Sequence, residues 1–151
     1  MLVLRAKGSS TVLILVILAP ISSASALAQT DPATGQGTAQ GYYTKSQAEA
    51  GQAVFQQQCA ICHGDHLQGG SGPALAGQQF LSVSQYQRIT AEYFYQFMST
   101  HMPLTHPGSL TQTQYLEIMA YFLEVNGYPS GSRELSTNSQ ELKAIKIEPQ
   151  H

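Results

Sequence analysis

Cys59-Ala60-Ile61-Cys62-His63 decides the reading of this chain. The spacing C-x-x-C-H is the attachment signature of a c-type haem. Each thiol can form a thioether to one vinyl group. The two intervening residues make a single helical turn, which sets both sulfurs along one porphyrin edge. The histidine that follows aims its imidazole at the iron as proximal ligand. The chain has two cysteines, so the motif accounts for all of them. One covalently bound haem c is therefore expected, held by Cys59 and Cys62, with His63 as an iron ligand.

Two other chemistries use the same residue types. A redox C-x-x-C pair of the thioredoxin kind expects a preceding strand and an α/β pattern. Here the motif follows a helical pattern, and no β-rich segment is visible. Zinc could draw on Cys59, Cys62, His63 and His66, but structural zinc sites usually take two ligand pairs from separated positions. Adjacent Cys62 and His63 would also strain a tetrahedral set.

The N-terminus has the layout of a secretory signal. Arg5 and Lys7 form a positive start, Val12 to Ala19 is apolar, and Ala26-Leu27-Ala28 is a small-residue cleavage site. Residues 1–28 are expected to be a signal peptide and to direct the chain to the periplasm. The apolar run is shorter than the ~20 residues that span a bilayer, and Pro20 ends it. No cysteine follows that could take a lipid. No stable membrane anchor is expected after cleavage. Export agrees with the haem reading, because covalent attachment needs reduced thiols delivered to an export-side maturation system.

The rest has the length of one small domain. Residues 29–42 read as a flexible leader, 43–130 as the haem domain, and 131–151 as a tail that packs on the domain or extends from it. The tail carries a weak apolar period at Leu135, Leu142, Ile145 and Ile147. From Gln29 onward there are five basic and nine acidic side chains, a net charge of −4. No basic patch suggests nucleic acid as a partner.

Three helices are predicted. Tyr43 to Gln58 opens with Thr44 and Gln47 as a capping box and sets Ala48, Gly51, Val54 and Phe55 on one face. Gly51 costs about 1 kcal/mol against alanine there, which close approach of another helix would explain. Ala91 to Thr100 presents Tyr93, Phe94, Phe97 and Met98. Leu110 to Val125 has a second capping box at Thr111 and Gln114, an apolar stripe of Tyr115, Ile118, Met119, Phe122 and Val125, and a stop at Asn126-Gly127. The glycine-rich loop His66 to Gly77 lacks the Lys-Ser/Thr of a phosphate loop, and no strand precedes it. It is read as a loop folded against the haem edge.

From Thr44 to about Leu135 the chain resembles class I cytochromes c of the small exported bacterial kind. The resemblance implies an all-α cytochrome c fold, three to four helices around one haem. It implies that the first and last helices cross at near right angles through Gly51, Phe55, Ile118 and Tyr121. Gly72-Pro73-Ala74-Leu75 matches the family loop whose proline carbonyl accepts from the proximal histidine, so Pro73 would orient His63. Met102-Pro103 stands where the family has its sixth ligand. Met98 and Met119 are expected in the core, and His66, His101 and His106 could reach an iron only with rearrangement. Ala120 to Gly131, continued by Glu134-Leu135, is similar to haem c domains that partner quinoprotein or other periplasmic dehydrogenases.

These readings imply an electron-transfer protein rather than an enzyme. Its expected partners are redox proteins, with a periplasmic dehydrogenase as donor and an oxidase or membrane cytochrome as acceptor. Phe55, Leu75, Tyr93, Phe97 and Ile118 are expected to exclude water from the iron. An alternative is a tightly bound cytochrome subunit of a dehydrogenase or terminal oxidase. A further one is an open-iron enzyme or gas sensor using His101 and His106, against which Met102 argues.

Overall fold

A computed structural model describes residues 41–150 of the 151-residue chain. The predicted signal peptide and residues 29–40 of the predicted leader lie outside the described residues. The described part is all helical, with helices α1 Lys45–Gln58, α2 Ala60–His63, α3 Gln78–Tyr86, α4 Ala91–His101, α5 Gln112–Val125 and α6 Ser139–Ala144. The only β pairing among the described residues is two isolated bridges, Tyr43 with Ser130 and Thr90 with Lys146. No described helix is long and apolar enough to cross a membrane.

Local chemistry starts each long helix. Thr44, Thr90 and Thr111 each accept from the backbone N–H three residues on, which satisfies one of the orphan donors of a first turn. The box at Thr111 is complete, with the Gln114 side chain returning to the Thr111 N–H at 2.9 Å. The box read at Thr44 closes by half. Gln47 instead pairs with Leu135, donating to its carbonyl at 2.9 Å and accepting from its N–H at 2.8 Å.

Helices α1 and α5 form the central pair. Gly51 packs against the backbone of Glu117 and Ile118, and the Phe55 and Tyr121 rings lie 5.5 Å apart. Phe94 of α4 stacks on Phe122 of α5 at 4.3 Å, and Phe80 of α3 meets Phe122 edge-on at 5.8 Å. This aromatic triad joins three helices.

The segment after Ser130 straps the body. Gly131 N–H donates to the Tyr43 carbonyl at 2.7 Å, and Ile145 and Ile147 exchange backbone bonds with Ala91 and Ile89 at 2.9 Å each. Leu135, Leu142, Ile145 and Ile147 are all buried. Fully burying such a side chain stabilises by about 1.5–3 kcal/mol, so the strap belongs to the core. Neither α3 nor α6 was expected from the sequence.

A candidate haem site between the cysteine turn and the end of α4

The site is built from two sides. On one side α1 ends at Gln58 and the chain makes the short turn of α2. The His63 N–H bonds back to the Cys59 carbonyl at 3.0 Å. That turn brings Cys59, Cys62 and His63 to one wall of a cavity of about 540 Å³. On the other side Met98 and Met102, from the last turn and C-cap of α4, line the same cavity. Phe55, Leu67, Leu75, Ile118 and Phe122 complete the apolar walls.

His63 is buried, and its Nδ1 lies 2.9 Å from the Pro73 carbonyl oxygen. A carbonyl can only accept, so Nδ1 carries the proton. That leaves the Nε2 lone pair of a neutral ring free to ligate. The loop can come this close because residue 72 is glycine. A Cβ there would sit 3.0 Å from His63 Cε1 and 3.1 Å from Nδ1. Gly72 N–H donates to the Cys62 carbonyl at 2.8 Å, and Asn126 Nδ2 donates to the Leu75 carbonyl at 3.1 Å. Both ends of the Gly72–Leu75 loop are therefore tied.

Met102 is held through its backbone. Its carbonyl accepts from the Tyr115 hydroxyl at 2.6 Å and from the Gly108 N–H at 3.2 Å. Tyr115 is buried on α5. Sequence reasoning took Tyr115 for packing alone, because its reach to residue 102 depends on the path of the intervening loop.

Burial, then the neighbouring Cys62, pushes the Cys59 thiol up to about 11. Reactive dithiol pairs need a lowered thiol pKa, so Cys59 is unsuited to disulfide exchange. The described residues hold no cluster of three or more His, Cys, Asp or Glu fit for a metal. Redox dithiol and zinc chemistry both lose support.

The other candidates lie elsewhere. His66, His101 and His106 are exposed and do not line the cavity; His101 stacks on Phe97 at 4.7 Å. Met119 is fully buried away from it. Met98, expected as core, is both buried and part of the cavity wall. Tyr93 corrects an expectation. It stands 58% exposed and takes no part in the lining, because α4 turns Ala91 and Met98 inward and places residue 93 off that face.

A flat, largely apolar group attached through two thioethers fits this donor set. The volume lies within the ~300–1,000 Å³ common for ligand sites, and no Asp, Glu, Lys or Arg lines it.

Residues 46–122 match the family described as Cytochrome C oxidase, cbb3-type, subunit III. The fold is similar to a chain in the crystal structure of the sulfane dehydrogenase SoxCD from Paracoccus pantotrophus. The TM-score is 0.51 at 24% identity, over 66% of this chain and 52% of that one. The match thus spans about half the length of that SoxCD chain. No curated protein matches this chain.

Proposed function

The chain belongs to the cytochrome c family described as Cytochrome C oxidase, cbb3-type, subunit III, and carries one covalently bound haem c for electron transfer; from this we propose that it is a periplasmic carrier moving single electrons between redox proteins. The observation that carries the proposal is one apolar cavity lined by Cys59, Cys62, His63 and Met102 together. Cys59 and Cys62 would hold the haem by thioethers, and His63 and Met102 would be the ligands of its iron. When bound, the haem supplies a one-electron couple.

The chain's own residues set the conditions for that couple. Pro73 fixes the His63 tautomer and ring plane and strengthens its donation to the metal. A methionine opposite histidine raises the potential above that of a bis-histidine site. Phe55, Leu67, Leu75, Ile118 and Phe122 exclude water and favour the less charged state of the site. Tyr115 holds the Met102 backbone and Pro73 holds the His63 ring, so both oxidation states would meet nearly the same protein framework.

A second reading makes the chain a firmly held subunit of a dehydrogenase or oxidase. The family description names an oxidase subunit, and the similar SoxCD structure is a dehydrogenase. Co-purification that survives high salt would support this reading; a monomer exchanging electrons with several partners would count against it.

The deciding experiment is the optical spectrum of the exported protein, oxidised and reduced. The expected result is a low-spin c-type spectrum with the weak red-edge sulfur-to-iron band, and haem that survives denaturing electrophoresis. A high-spin spectrum, or one without that band, would overturn the Met102 assignment.

A further inference from the structure

The side chains that line the cavity carry no formal charge. Between Tyr93 and Leu116 the chain has no Lys, Arg, Asp or Glu, and between Ala50 and Ala91 it has only Asp65 and Arg88. Neither lines the cavity. Asp65 is tied at its carbonyl to Gln56 and Tyr121, toward α1 and α5, and Arg88 follows the end of α3. The remaining charges are also absent from the lining. Lys45 pairs with Glu124, Lys143 with Glu92, and Arg133 with Glu141, while Glu117 and Glu134 line a separate small cleft beside Gln47. On the rim itself Ile61 is 89% exposed and Leu104 is 77% exposed. Large aliphatic side chains this exposed mark an interaction surface when they cluster.

We infer that this rim docks a redox protein whose own contact face is uncharged and apolar, and that the encounter is insensitive to salt. The inference rests on the electron-carrier reading and names the chemistry of the partner. A lysine-ringed or acidic partner face would lose water from its charges against Ile61 and Leu104 and gain no counter-charge in return. An uncharged face loses only apolar hydration. A second copy is the weaker occupant, because the described residues carry five basic and eight acidic groups and like net charge slows encounter. Short-lived redox contacts are small, below about 1,200 Å², so a rim of this kind is sufficient.

The test is voltammetry of the haem-loaded protein on gold coated with three monolayers: mixed methyl- and hydroxyl-terminated, carboxylate-terminated, and amine-terminated. Adsorbed mass is recorded alongside, as a readout independent of the haem. The neutral film is expected to give the fastest reversible signal. Adsorption and rate there should change less than about twofold as the Debye length falls from about 30 to 3 Å. Leu104→Lys and, separately, Ile61→Lys should slow exchange on the neutral film about tenfold and create salt-sensitive binding to the carboxylate film. Binding of the native protein only to a charged film, lost in salt, overturns the inference. So do lysine variants that match the native rate on the neutral film, and so does a stable native dimer that Leu104→Lys dissociates. Protein without covalent haem would instead sink the carrier reading, while adsorbed mass on the neutral film would still report on the face.

Discussion

Gly51 of α1 lies against the Glu117 carbonyl of α5, so that any Cβ at position 51 would overlap the backbone of the partner helix. The contact is backbone on backbone, which side chains cannot relieve by changing rotamer. Gly51→Ala would gain about 1 kcal/mol of helix propensity, yet it must push the two helices apart. Overpacking of this kind costs about 1–3 kcal/mol, and here the unyielding neighbour sets the upper end. The expected result is a net loss of about 1–2 kcal/mol in denaturant unfolding of the haem-loaded protein. A stabilised variant would show that α1 and α5 do not meet in this way.

Two methionines line the cavity, and they are separable. Met102→Ala should lower the reduction potential, remove the sulfur-to-iron band and give a high-spin or newly ligated iron. Met98→Ala should keep the band and cost about 2–5 kcal/mol through the hole left in the wall. If the band follows Met98 instead, the ligand is one helical turn away from the position assigned here.

Tyr115 anchors the Met102 carbonyl and also receives the Leu110 N–H at 3.4 Å. Tyr115→Phe keeps the ring and removes the bridge. Global stability should fall by about 1–2 kcal/mol. The sulfur-to-iron band should then disappear on heating well before the helices melt, whereas in the native protein the two are lost together. A Tyr43→Phe control, which also removes one buried hydroxyl, should not separate the two events. Parallel loss in both variants would reduce Tyr115 to a packing residue.

Tyr43 gives the chain an alkaline limit. Its hydroxyl donates to the Tyr128 carbonyl at 2.8 Å. Burial first, and the nearby Glu124 second, push its pKa from the ordinary 10.0 to about 12. Burial also raises Tyr95, Tyr121 and Tyr128. A pKa raised in the folded state means the fold favours the protonated phenol. The stabilisation is therefore complete below about pH 10 and fades as pH climbs toward about 12. Tyr43→Phe should cost about 1 kcal/mol near neutrality and should unfold with a shallower loss of Tm across that alkaline window. An unchanged slope would place the limit on the other tyrosines.

The parts of the molecule set by short-range chemistry are readable in the sequence. Cys59 to His63 fixes its own turn. Thr111 and Gln114 are three residues apart, and Gly51 reveals a close neighbour because nothing else explains a glycine on an apolar helix face. What the sequence hides depends on partners far along the chain. Tyr115 reads as one more member of an apolar stripe until the Met102 loop passes its hydroxyl. Tyr93 looks like part of an aromatic face, yet α4 buries Met98, half-buries Phe94 and leaves Tyr93 outside. The α3 segment is short and starts at Gly77 with no side-chain cap to announce it, and it is held through Phe80 by rings on two other helices.

Gln47 shows the same limit most sharply, and it carries the last prediction. Read locally, it completes a capping box with Thr44. In the fold its amide serves both backbone groups of Leu135, 88 residues away, and it is nearly buried there. The amide is thus the clamp that holds the start of the strap. Gln47→Ala leaves a buried donor and a buried acceptor unpaired, at about 1–3 kcal/mol each, and should expose the strap after Leu135 to protease before the haem domain opens. Gln47→Glu separates hydrogen bonding from packing. A carboxylate can accept from the Leu135 N–H but faces its carbonyl with no proton to offer. A protonated acid can do both. Burial and the facing carbonyl raise the folded pKa of that glutamate above its unfolded value, so its stabilisation is present at acid pH and lost as pH rises. The variant should regain strap protection on acidification, while Gln47→Ala should not. Equal protection of both variants at every pH would mean that Leu135 is held by its apolar side chain and that the amide contributes only shape.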